Sequence, residues 1–313
     1  MATGGGAEPA EFSVHLGKDT TVRPITAVRA ALTAAAVTIG LAAVPGVASA
    51  QTPVPCSADD LVSAITAANA SPTGDTLSLA PNCVYVLDDS SGPLPTVTAP
   101  ISIFGNNATV TRSPSASAFR IFDVDTSGTL TLNHLTVSHG DATGDFGGGI
   151  RNFGTLTVVN STVTRNTADF SGGIGTASGA TTTVLFSTVA ANSAGINGGG
   201  IASDGSLTVR HSVVSNNTAG EKGGGIASDG TLEISDSTVA NNTASGPTGV
   251  GGGVATTGGG TTTLTNTVVR DNSATNAPGG LDNAGASTTL TDTTVTGNLP
   301  TNCVPTPVPG CPD

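Results

Sequence analysis

The chain has 313 residues, of which 10% are charged, and 22 acidic residues outnumber 10 basic ones to give a formal net charge of -12. Its two lysines, Lys18 and Lys222, do not provide the positive surface that nucleic acids or anionic lipids require of a partner. With 43 glycines and abundant Thr, Ser and Asn, all poor helix formers, a helix-rich fold is excluded.

The first fifty residues contain the pattern of an export signal. Arg23 and Arg29 precede an apolar run that ends before the small residues 48–50. A basic region, an apolar region and an A-x-A site predict a signal peptide over 23–50 that is cleaved before Gln51. The apolar run is shorter than the roughly 20 residues of a membrane-spanning helix. We therefore expect a secreted or wall-associated mature chain without a transmembrane segment. The alternative to cleavage is an uncleaved membrane anchor. Because 1–22 are atypical of a signal peptide, a second hypothesis is that translation starts at Val22.

The residues that follow predict a short capping helix. Ser57 begins the sequence Ser-Ala-Asp-Asp, which resembles a capping box and favours a helix over 57–69. Leu61, Ala64, Ile65 and Ala68 then lie on one face of it. We assign 51–76 to an N-terminal cap.

The body of the chain is a repeat of about 26 residues. A valine column recurs at intervals of 26, 26, 25, 25, 30 and 26: Val137, Val163, Val189, Val214, Val239, Val269 and Val295. A second aliphatic column contains Leu132, Val158, Val184, Val209, Ile234, Leu264 and Leu290. Three residues after the valines from Val163 onward comes an asparagine: Asn166, Asn192, Asn217, Asn242, Asn272 and Asn298. Each repeat also has a glycine cluster followed by an aliphatic residue, as in GGGI ending at Ile201.

This periodicity predicts an all-β, right-handed parallel β-helix. Apolar residues alternate within each repeat, which is the period of a strand, and one coil cannot bury its apolar face alone. Stacked coils pair their backbones at a spacing of about 4.8 Å and align identical side chains inside. Right-handed winding is the default for parallel crossovers. We expect about 8–9 coils over 77–299, with less regular early coils over 97–120 in which Ile101, Ile103 and Val110 point inward.

Two features of the repeat are expected at its corners. We expect the asparagines to adopt a left-handed backbone at a turn and to hydrogen-bond along the stack. The glycine clusters suit corners that need a positive φ or a close approach of backbones. A leucine-rich repeat is excluded because aligning its Asn on Asn166 places its middle leucine on Ser161. Calcium-binding nonapeptide rolls are excluded because the glycine clusters recur at about 26 residues and not at nine.

Four cysteines flank the repeat. Cys56 and Cys83 bracket the first folded segment, and Cys303 and Cys311 lie in a proline-rich tail over 300–313 that stops further strand pairing. If the body is a rod, its ends are too far apart for a disulfide, which needs Cα atoms about 4.4–6.8 Å apart. We therefore predict the pairs Cys56–Cys83 and Cys303–Cys311, with free buried thiols as the alternative; metal ligation is disfavoured because no CxxC or nearby His completes a site.

The chain resembles a known class of proteins at several motifs. CSADDLVSAITAAN, DTLSLAPNCVYVL, LTLNHLTVSHG and the repeated GGGI…LTV..STV..N are similar to those of secreted bacterial right-handed β-helix repeat proteins. The GGGI motif and the repeat-ending Asn also resemble the short motifs of polymorphic outer-membrane proteins, whose passenger regions are β-helical. The resemblance covers about residues 56 to 311, and it implies the β-helical architecture.

Two pairs of residues are candidates for chemistry on such a rod. Asp204 and Asp229 occupy equivalent positions in adjacent coils, as do His211 and Asp236, so that the first pair suits a cation site and the second an acid–base pair. The simpler interpretation is favoured for both, because Asp-Gly is an ordinary turn dipeptide and the column of His211 accepts varied residues.

The remaining candidates are aromatic and basic. Phe146 and Phe170 precede consecutive glycine clusters, where they form either a small exposed stack or, as we favour, part of the core or loop packing. Arg151, Arg165, Arg210 and Arg270 lie in different columns and so form no clamp around a ligand. We therefore predict no catalytic, cofactor-binding or metal-binding residue and no cofactor.

The predicted function follows from the architecture and the charge. We expect an exported, non-catalytic rod that acts as a surface, adhesive or matrix-interaction protein, whose partner is an extracellular polysaccharide or a host or cell-wall surface. The alternative is a carbohydrate-active enzyme, a polysaccharide lyase or glycosidase, with its site on the flank of the rod. Fold alone does not decide between them.

Overall fold

The protein is a parallel β-solenoid of about nine turns with one short helix. The computed structural model describes residues 51–71, 73–284, 286–304 and 308–311; the predicted signal peptide and N-terminal extension lie outside them. The all-β class, the coil number and the N-terminal helix predicted from the sequence are confirmed. The division into 1–50, 51–76, 77–299 and 300–313 stays a prediction.

Each coil crosses three parallel sheets, and most coils contribute two strands to the first. Sheet A contains Thr52–Val54, Asp75–Leu79, Val84–Leu87, Pro100–Arg112, Thr129–Ser138, Thr155–Val159, Thr162–Thr164, Thr181–Leu185, Thr188–Ala190, Ser206–Arg210, Val213–Ser215, Thr231–Ser235, Thr238–Ala240, Thr261–Thr265, Val268–Arg270, Ser287–Thr291 and Thr294–Thr296. Sheet B contains Phe122–Val124, Ile150–Asn152, Ile174–Thr176, Ile201–Ser203, Ile226–Ser228, Val254–Thr256, Leu281–Asp282 and Cys303–Val304. Sheet C contains Asp141–Phe146, Thr167–Phe170, Ser193–Ala194, Thr218–Ala219, Thr243–Ala244 and Ser273–Ala274.

The core consists of aliphatic columns that run along the stack. The predicted valine column is confirmed, since Val163 pairs in register with Val137 on one side and Val189 on the other. All seven of its valines are fully buried. Sheet B adds the aliphatic residues that follow the glycine clusters, and sheet C adds alanines. The inward positions predicted for Ile101, Ile103 and Val110 are also confirmed.

From Asn160 onward, two corners in each coil use a left-handed residue followed by a polar one, which is buried in all but the last case, Thr293; in the coil before, Leu135 and Gly140 take the place of the polar residues. Between the two sheet A strands, the left-handed residues are His134, Asn160, Phe186, His211, Asp236, Asn266 and Asp292. Between sheets A and C they are His139, Arg165, Ala191, Asn216, Asn241, Asp271 and Gly297. The prediction that the repeated asparagines are themselves left-handed is wrong. The residue before each makes the turn and points outward, which leaves the asparagine to point into the stack.

The buried asparagines form a continuous hydrogen-bonded row, here called the Asn ladder: Asn166, Asn192, Asn217, Asn242, Asn272 and Asn298. Asn217 donates its backbone N–H and its Nδ2 to Oδ1 of Asn242, both at 3.0 Å, and Nδ2 also donates to the carbonyl of Val189. Its own Oδ1 accepts the corresponding two bonds from Asn192. The predicted bonding of these amides along the stack is confirmed, and it satisfies corner groups that a single coil leaves unpaired.

A second row of side chains performs the same task at the other corner. This hydroxyl ladder contains Ser161, Ser187, Ser212, Ser237, Thr267 and Thr293. Ser212 Oγ donates to the carbonyl of Arg210 at 2.7 Å and accepts the backbone N–H of Ser187 at 3.1 Å. Each hydroxyl therefore links its own turn to the preceding coil.

The glycine clusters form the corner that leads into sheet B. Gly198 has φ +65, so its position suits glycine. Gly199 has no room for a side chain, because a Cβ there would lie 2.4 Å from the carbonyl oxygens of Gly224 and Thr218. Both expected roles of the clusters, left-handed turns and close approach, are confirmed.

The N-terminal end of the stack is covered by a helix and a strand. Helix α1 spans Ala58–Asn69, and its N-cap Ser57 accepts the N–H of Asp60. Its buried face packs on the first coils. Strand Thr52–Val54, which the sequence did not reveal, pairs with Asp75–Leu79 and so covers a sheet edge. The hydroxyl of buried Tyr85 donates to the carbonyl of Val54 at 2.9 Å.

The other end is closed by the tail. Val308 is buried in the hydrophobic core with 3% exposure, and Cys311 packs against that core. The structure pairs Cys303 with Cys311 at a Cα separation of 6.4 Å and Cys56 with Cys83 at 5.7 Å, as predicted. In the described part of the chain, no helix is long and apolar enough to cross a bilayer.

The Asn ladder makes a testable prediction about stability. Replacing Asn217 by Ala removes the two bonds that its Nδ2 donates to Val189 and Asn242, and it leaves the backbone N–H and the Nδ2 of Asn192 without their shared acceptor. Because each unsatisfied buried group costs about 1–3 kcal/mol, we expect a loss of at least about 3 kcal/mol in urea unfolding. Asn216→Ala is the control, since Asn216 is exposed and Ala191 already occupies its position one coil earlier; an equal loss in both variants would contradict the role of the ladder.

The buried hydroxyl of Ser203 predicts a change in stability of the opposite sign. Thr176 and Thr256 hydrogen-bond to Thr182 and Thr262 across the interior, whereas the buried Ser203 Oγ has no hydrogen-bond partner among the residues that the structure describes. Ser203→Ala removes that unpaired group, so the free energy of unfolding is expected to stay unchanged or rise by up to about 1 kcal/mol. Thr256→Val is the control and should lower it by about 1–3 kcal/mol because Thr262 loses its partner. A clear loss in Ser203→Ala, measured by urea unfolding, would mean that its hydroxyl is satisfied.

Candidate functional site

A groove with a volume of about 420 Å³ runs along the outer face of sheet B. The middle residue of each sheet B strand points outward because its two neighbours point into the core. In successive coils these outward residues are small, namely Ala202 and Ala227, and they form the floor. We call this cavity the flank groove. It is lined by Phe146, Phe153, Phe170, Ser171, Thr176, Ala177, Asn197, Ala202, Asp204, Ala227, Ser228 and Asp229.

The end of the flank groove nearer the N-terminal coils is aromatic. The rings of Phe146 and Phe153 pack edge to face with centroids 5.5 Å apart, and the Arg151 guanidinium lies over both. The ring of Phe146 also covers Gly175, where a Cβ would lie 2.5 Å from it. Phe170 remains 41% exposed. The favoured prediction of loop packing therefore holds for Phe146, with Phe153 as its partner, whereas Phe170 presents a free aromatic surface.

A network of charges fixes this aromatic end. Arg151 donates to both carboxylate oxygens of Asp123, at 2.8 and 3.1 Å, and to Asp145 at 2.8 Å. Asp145 also pairs with Arg120. Burial raises the pKa of Asp123, but the hydrogen bonds and charge of Arg151 outweigh it, and the net pKa lies below the ordinary value. Arg151 is thus held by these carboxylates, which fixes its guanidinium against the rings of Phe146 and Phe153.

The two stacked aspartates lie in the wall of the groove. Asp204 and Asp229 follow paired strands of sheet B, so their backbones are one coil apart, about 4.8 Å. Asp229 accepts a hydrogen bond from the Thr257 hydroxyl. Asp204 is exposed on its outer side, but partial burial raises its pKa, and the charge of Asp229 raises it further. Asp204 and Asp229 do lie in turns, as the Asp-Gly dipeptides predicted. The sequence did not show that these turns face a cavity.

Among the described residues, no three His, Cys, Asp or Glu side chains come together as a metal site would require. Two carboxylates in a groove supply acceptors for a hydroxyl or a cation, and their stacking disfavours two full negative charges. The arrangement is therefore suited to a ligand that brings hydrogen-bond donors or positive charge.

On the opposite side, the loops that lead into sheet B contribute Ser171 and Asn197 to the lining of the groove. Asn197, Lys222 and Val250 pair in parallel, and Asn197 Oδ1 accepts the backbone N–H of Lys222 at 3.2 Å. These loops vary in length between coils, and the longest lies in the 30-residue repeat. At the C-terminal side, burial raises the pKa of Asp282 and nearby Lys222 lowers it, with a net upward shift. The wall is therefore ordered by its own pairing even where its sequence varies.

The second candidate pair lies elsewhere. His211 stacks on Phe186 with ring centroids 4.8 Å apart, and its Nε2 is 3.9 Å from Asp236. Asp236 accepts from Asn266 Nδ2 at 2.7 Å. These four residues occupy the same corner between the two sheet A strands. They share a left-handed backbone, whereas their side chains differ in chemistry. None of them lines the flank groove, so the interpretation of this column as an exposed turn is preferred.

Sequence reasoning missed Phe153, Asn197 and the alanine floor. For Phe153 the signal was present in the register, because Phe153, Ala177, Asp204 and Asp229 each follow a sheet B strand and line the same groove. Comparison with known proteins finds no matching family model, no similar curated protein and no similar solved structure. The site is therefore interpreted from its own geometry.

The upward pKa shift of Asp204 predicts how stability depends on pH. A carboxyl with a raised folded-state pKa disfavours the folded state once it ionises, so its contribution is lost as pH rises through that pKa. Asp204→Asn should raise Tm at neutral pH by roughly 1–2 °C, a modest effect because the side chain is partly exposed. The difference should vanish below the ordinary aspartate pKa.

Asp292→Asn is the control for this measurement, because Asp292 is an exposed aspartate that does not line the groove. Thermal unfolding followed by circular dichroism at several pH values gives the result. A fall in Tm for Asp204→Asn at neutral pH would show that the carboxylate stabilises the fold, contrary to the pKa shift.

Proposed function

We propose that this protein is an exported, non-catalytic β-helix rod that binds an extracellular polysaccharide, on a cell or in a matrix, along its flank groove. The observation that carries the proposal is the groove itself, in which an aromatic end, a floor of alanines and a wall with two carboxylates lie on one face of a rigid rod. Apolar surface with a few convergent polar groups is the usual composition of a ligand site.

The shape of the site favours an extended ligand. The groove crosses four successive coils, from the one that carries Phe146 to the one that carries Asp229. Its length is therefore about three coil steps of 4.8 Å. Aromatic rings such as Phe170 offer a flat apolar face to a sugar ring, and the carboxylates accept hydrogen bonds from hydroxyl groups. A linear glycan lying parallel to the rod axis meets both.

Export is supported by the covalent structure. Two disulfides, Cys56–Cys83 and Cys303–Cys311, close the two ends of the solenoid. Structural disulfides persist in oxidising compartments and are rare in the cytosol. Together with the signal pattern of 23–50, they favour a secreted or cell-wall-associated protein.

Binding to polysaccharide is tested with a matched pair of phenylalanine variants. The purified protein should be retained by at least one insoluble polysaccharide in a panel of cellulose, xylan, chitin, chitosan and cross-linked pectin. Phe170→Ala should weaken retention about tenfold, because a ring contact buries apolar surface worth about 1.5–3 kcal/mol. Phe186→Ala is the control, since Phe186 is 58% exposed but lies outside the groove. Retention by none of the polysaccharides, or equal loss in both variants, would contradict the proposal.

A carbohydrate-active enzyme is the second candidate, and it is favoured by the raised pKa of Asp204 next to Asp229. Two carboxylates with different proton affinities are the usual acid and base of glycoside hydrolysis. The two candidates differ in product formation. Release of reducing ends, or Ca²⁺-dependent absorbance of unsaturated product at about 235 nm from uronates, that disappears in Asp204→Asn would establish the enzyme and exclude a purely binding role.

A further inference from the structure

We propose that the flank groove takes a polysaccharide of amino sugars with free, protonated amines, whose ammonium groups are bound by Asp204 and Asp229 while a sugar ring lies against Phe170. This inference rests on the proposed binding of polysaccharide and specifies its chemical class. It depends on the charge, the spacing and the aromatic surface of the groove taken together.

The charges of the groove are unbalanced at one place. Arg151 is matched by Asp123 and Asp145, and Asp145 also by Arg120. In the described residues, no ion pair joins Asp204 or Asp229 to a basic side chain. Two carboxylates one coil apart therefore face the cavity as a local negative charge. A cationic ligand complements that charge, whereas a uronate or sulfated polymer is repelled by it and by the net charge of -12.

The spacing matches a polymer with a short repeat. Asp204 and Asp229 are separated by one coil step, about 4.8 Å, and a pyranose unit in an extended chain advances by a similar length. Successive sugars therefore meet successive coils. Phe170, with 41% of its surface exposed, lies in the coil before that of Asp204, so a ring can contact it while its neighbours reach the carboxylates. A lysine-rich peptide supplies the charge but no ring face.

The pH dependence follows from the groups that face this ligand. Asp204 is faced by Asp229 on the next coil, Lys222 lies near Asp282 and does not line the groove, and the Arg151 network lies at the aromatic end. Binding requires ionised carboxylates and protonated amines at the same time. We therefore expect affinity to be greatest at mildly acidic to neutral pH, to fall at lower pH as the carboxyl of Asp204, whose pKa is raised, takes up a proton, and to fall at higher pH as the amines of the ligand lose their protons.

The test uses oligosaccharides of one length with and without the charge. Isothermal titration of the purified protein at low salt compares the glucosamine hexamer, the N-acetylglucosamine hexamer and hexalysine. We expect the glucosamine hexamer to bind at least about tenfold more tightly than either of the others. The double variant Asp204→Asn/Asp229→Asn should lose that preference while the affinity for the N-acetylglucosamine hexamer is kept.

The control variant is Asp271→Asn/Asp292→Asn, which removes the same charge from exposed aspartates outside the groove. It should bind as the unaltered protein does. Asn suits the Asp-Gly turns, so the groove variant is expected to fold, and unchanged circular dichroism and Tm at or above that of the unaltered protein verify it. Equal loss of binding in both double variants would indicate a non-specific charge effect and overturn the inference.

Other outcomes separate this inference from the proposed function. If the N-acetylglucosamine hexamer binds as tightly as the glucosamine hexamer, the groove takes neutral glycans and only the amino-sugar inference fails. If hexalysine binds as tightly, charge without sugar is recognised and the inference also fails. If no polysaccharide of the panel is retained and no hexamer binds, the inference and the proposed function fail together.

Discussion

The fold depends on satisfying buried backbone groups at two corners of every coil. A strand satisfies its backbone through the coils above and below it, but a corner interrupts that pairing and leaves donors and acceptors inside the protein. The hydroxyl ladder and the Asn ladder supply the missing partners, each between neighbouring coils. The left-handed residue that precedes each polar side chain turns the backbone so that the side chain points inward. Hydrophobic columns fill the interior, and these two rows determine where the chain bends.

The architecture was predictable because one register controls it. Once Val163 aligns with Val137 and Val189, every other position in the coil has a defined neighbour. The corner geometry was not predictable to the same degree, since a sequence shows that Asn217 recurs but not that Asn216 carries the turn. The Arg151–Asp123 pair was missed because its earlier half lies in a coil whose sequence departs from the repeat. The irregular early coils lack the repeated sequence motif, but their strands still pair with the next coil.

The candidate site shows why turns on a solenoid are difficult to interpret from sequence. Asp204-Gly205 has the composition of any exposed turn, and its significance comes from what lies across the groove. Across the groove from the residue that follows a sheet B strand lies a loop that leads into such a strand, such as the one carrying Asn197. The floor is recognisable only in retrospect, because Ala202 and Ala227 are unremarkable until the walls are known. Aromatic content was low, with 8 Phe and no Trp, but three of the phenylalanines gather in one place.

The Asn ladder also has a direction. Between asparagines, every side-chain amide donates to the next one towards the C-terminal end, and the last, Asn298, donates to Oδ1 of Asn302 in the tail at 2.9 Å. A coil cut out between two equivalent asparagines has one Oδ1 acceptor unfilled at its N-terminal end and two donors, a backbone N–H and an Nδ2, unfilled at its C-terminal end. Duplicating or deleting such a unit rejoins the row without a gap, as in other linear repeat arrays. The number of coils can therefore change in evolution while the side chains inside each coil stay the same. The length of the solenoid and its cross-section thus vary independently.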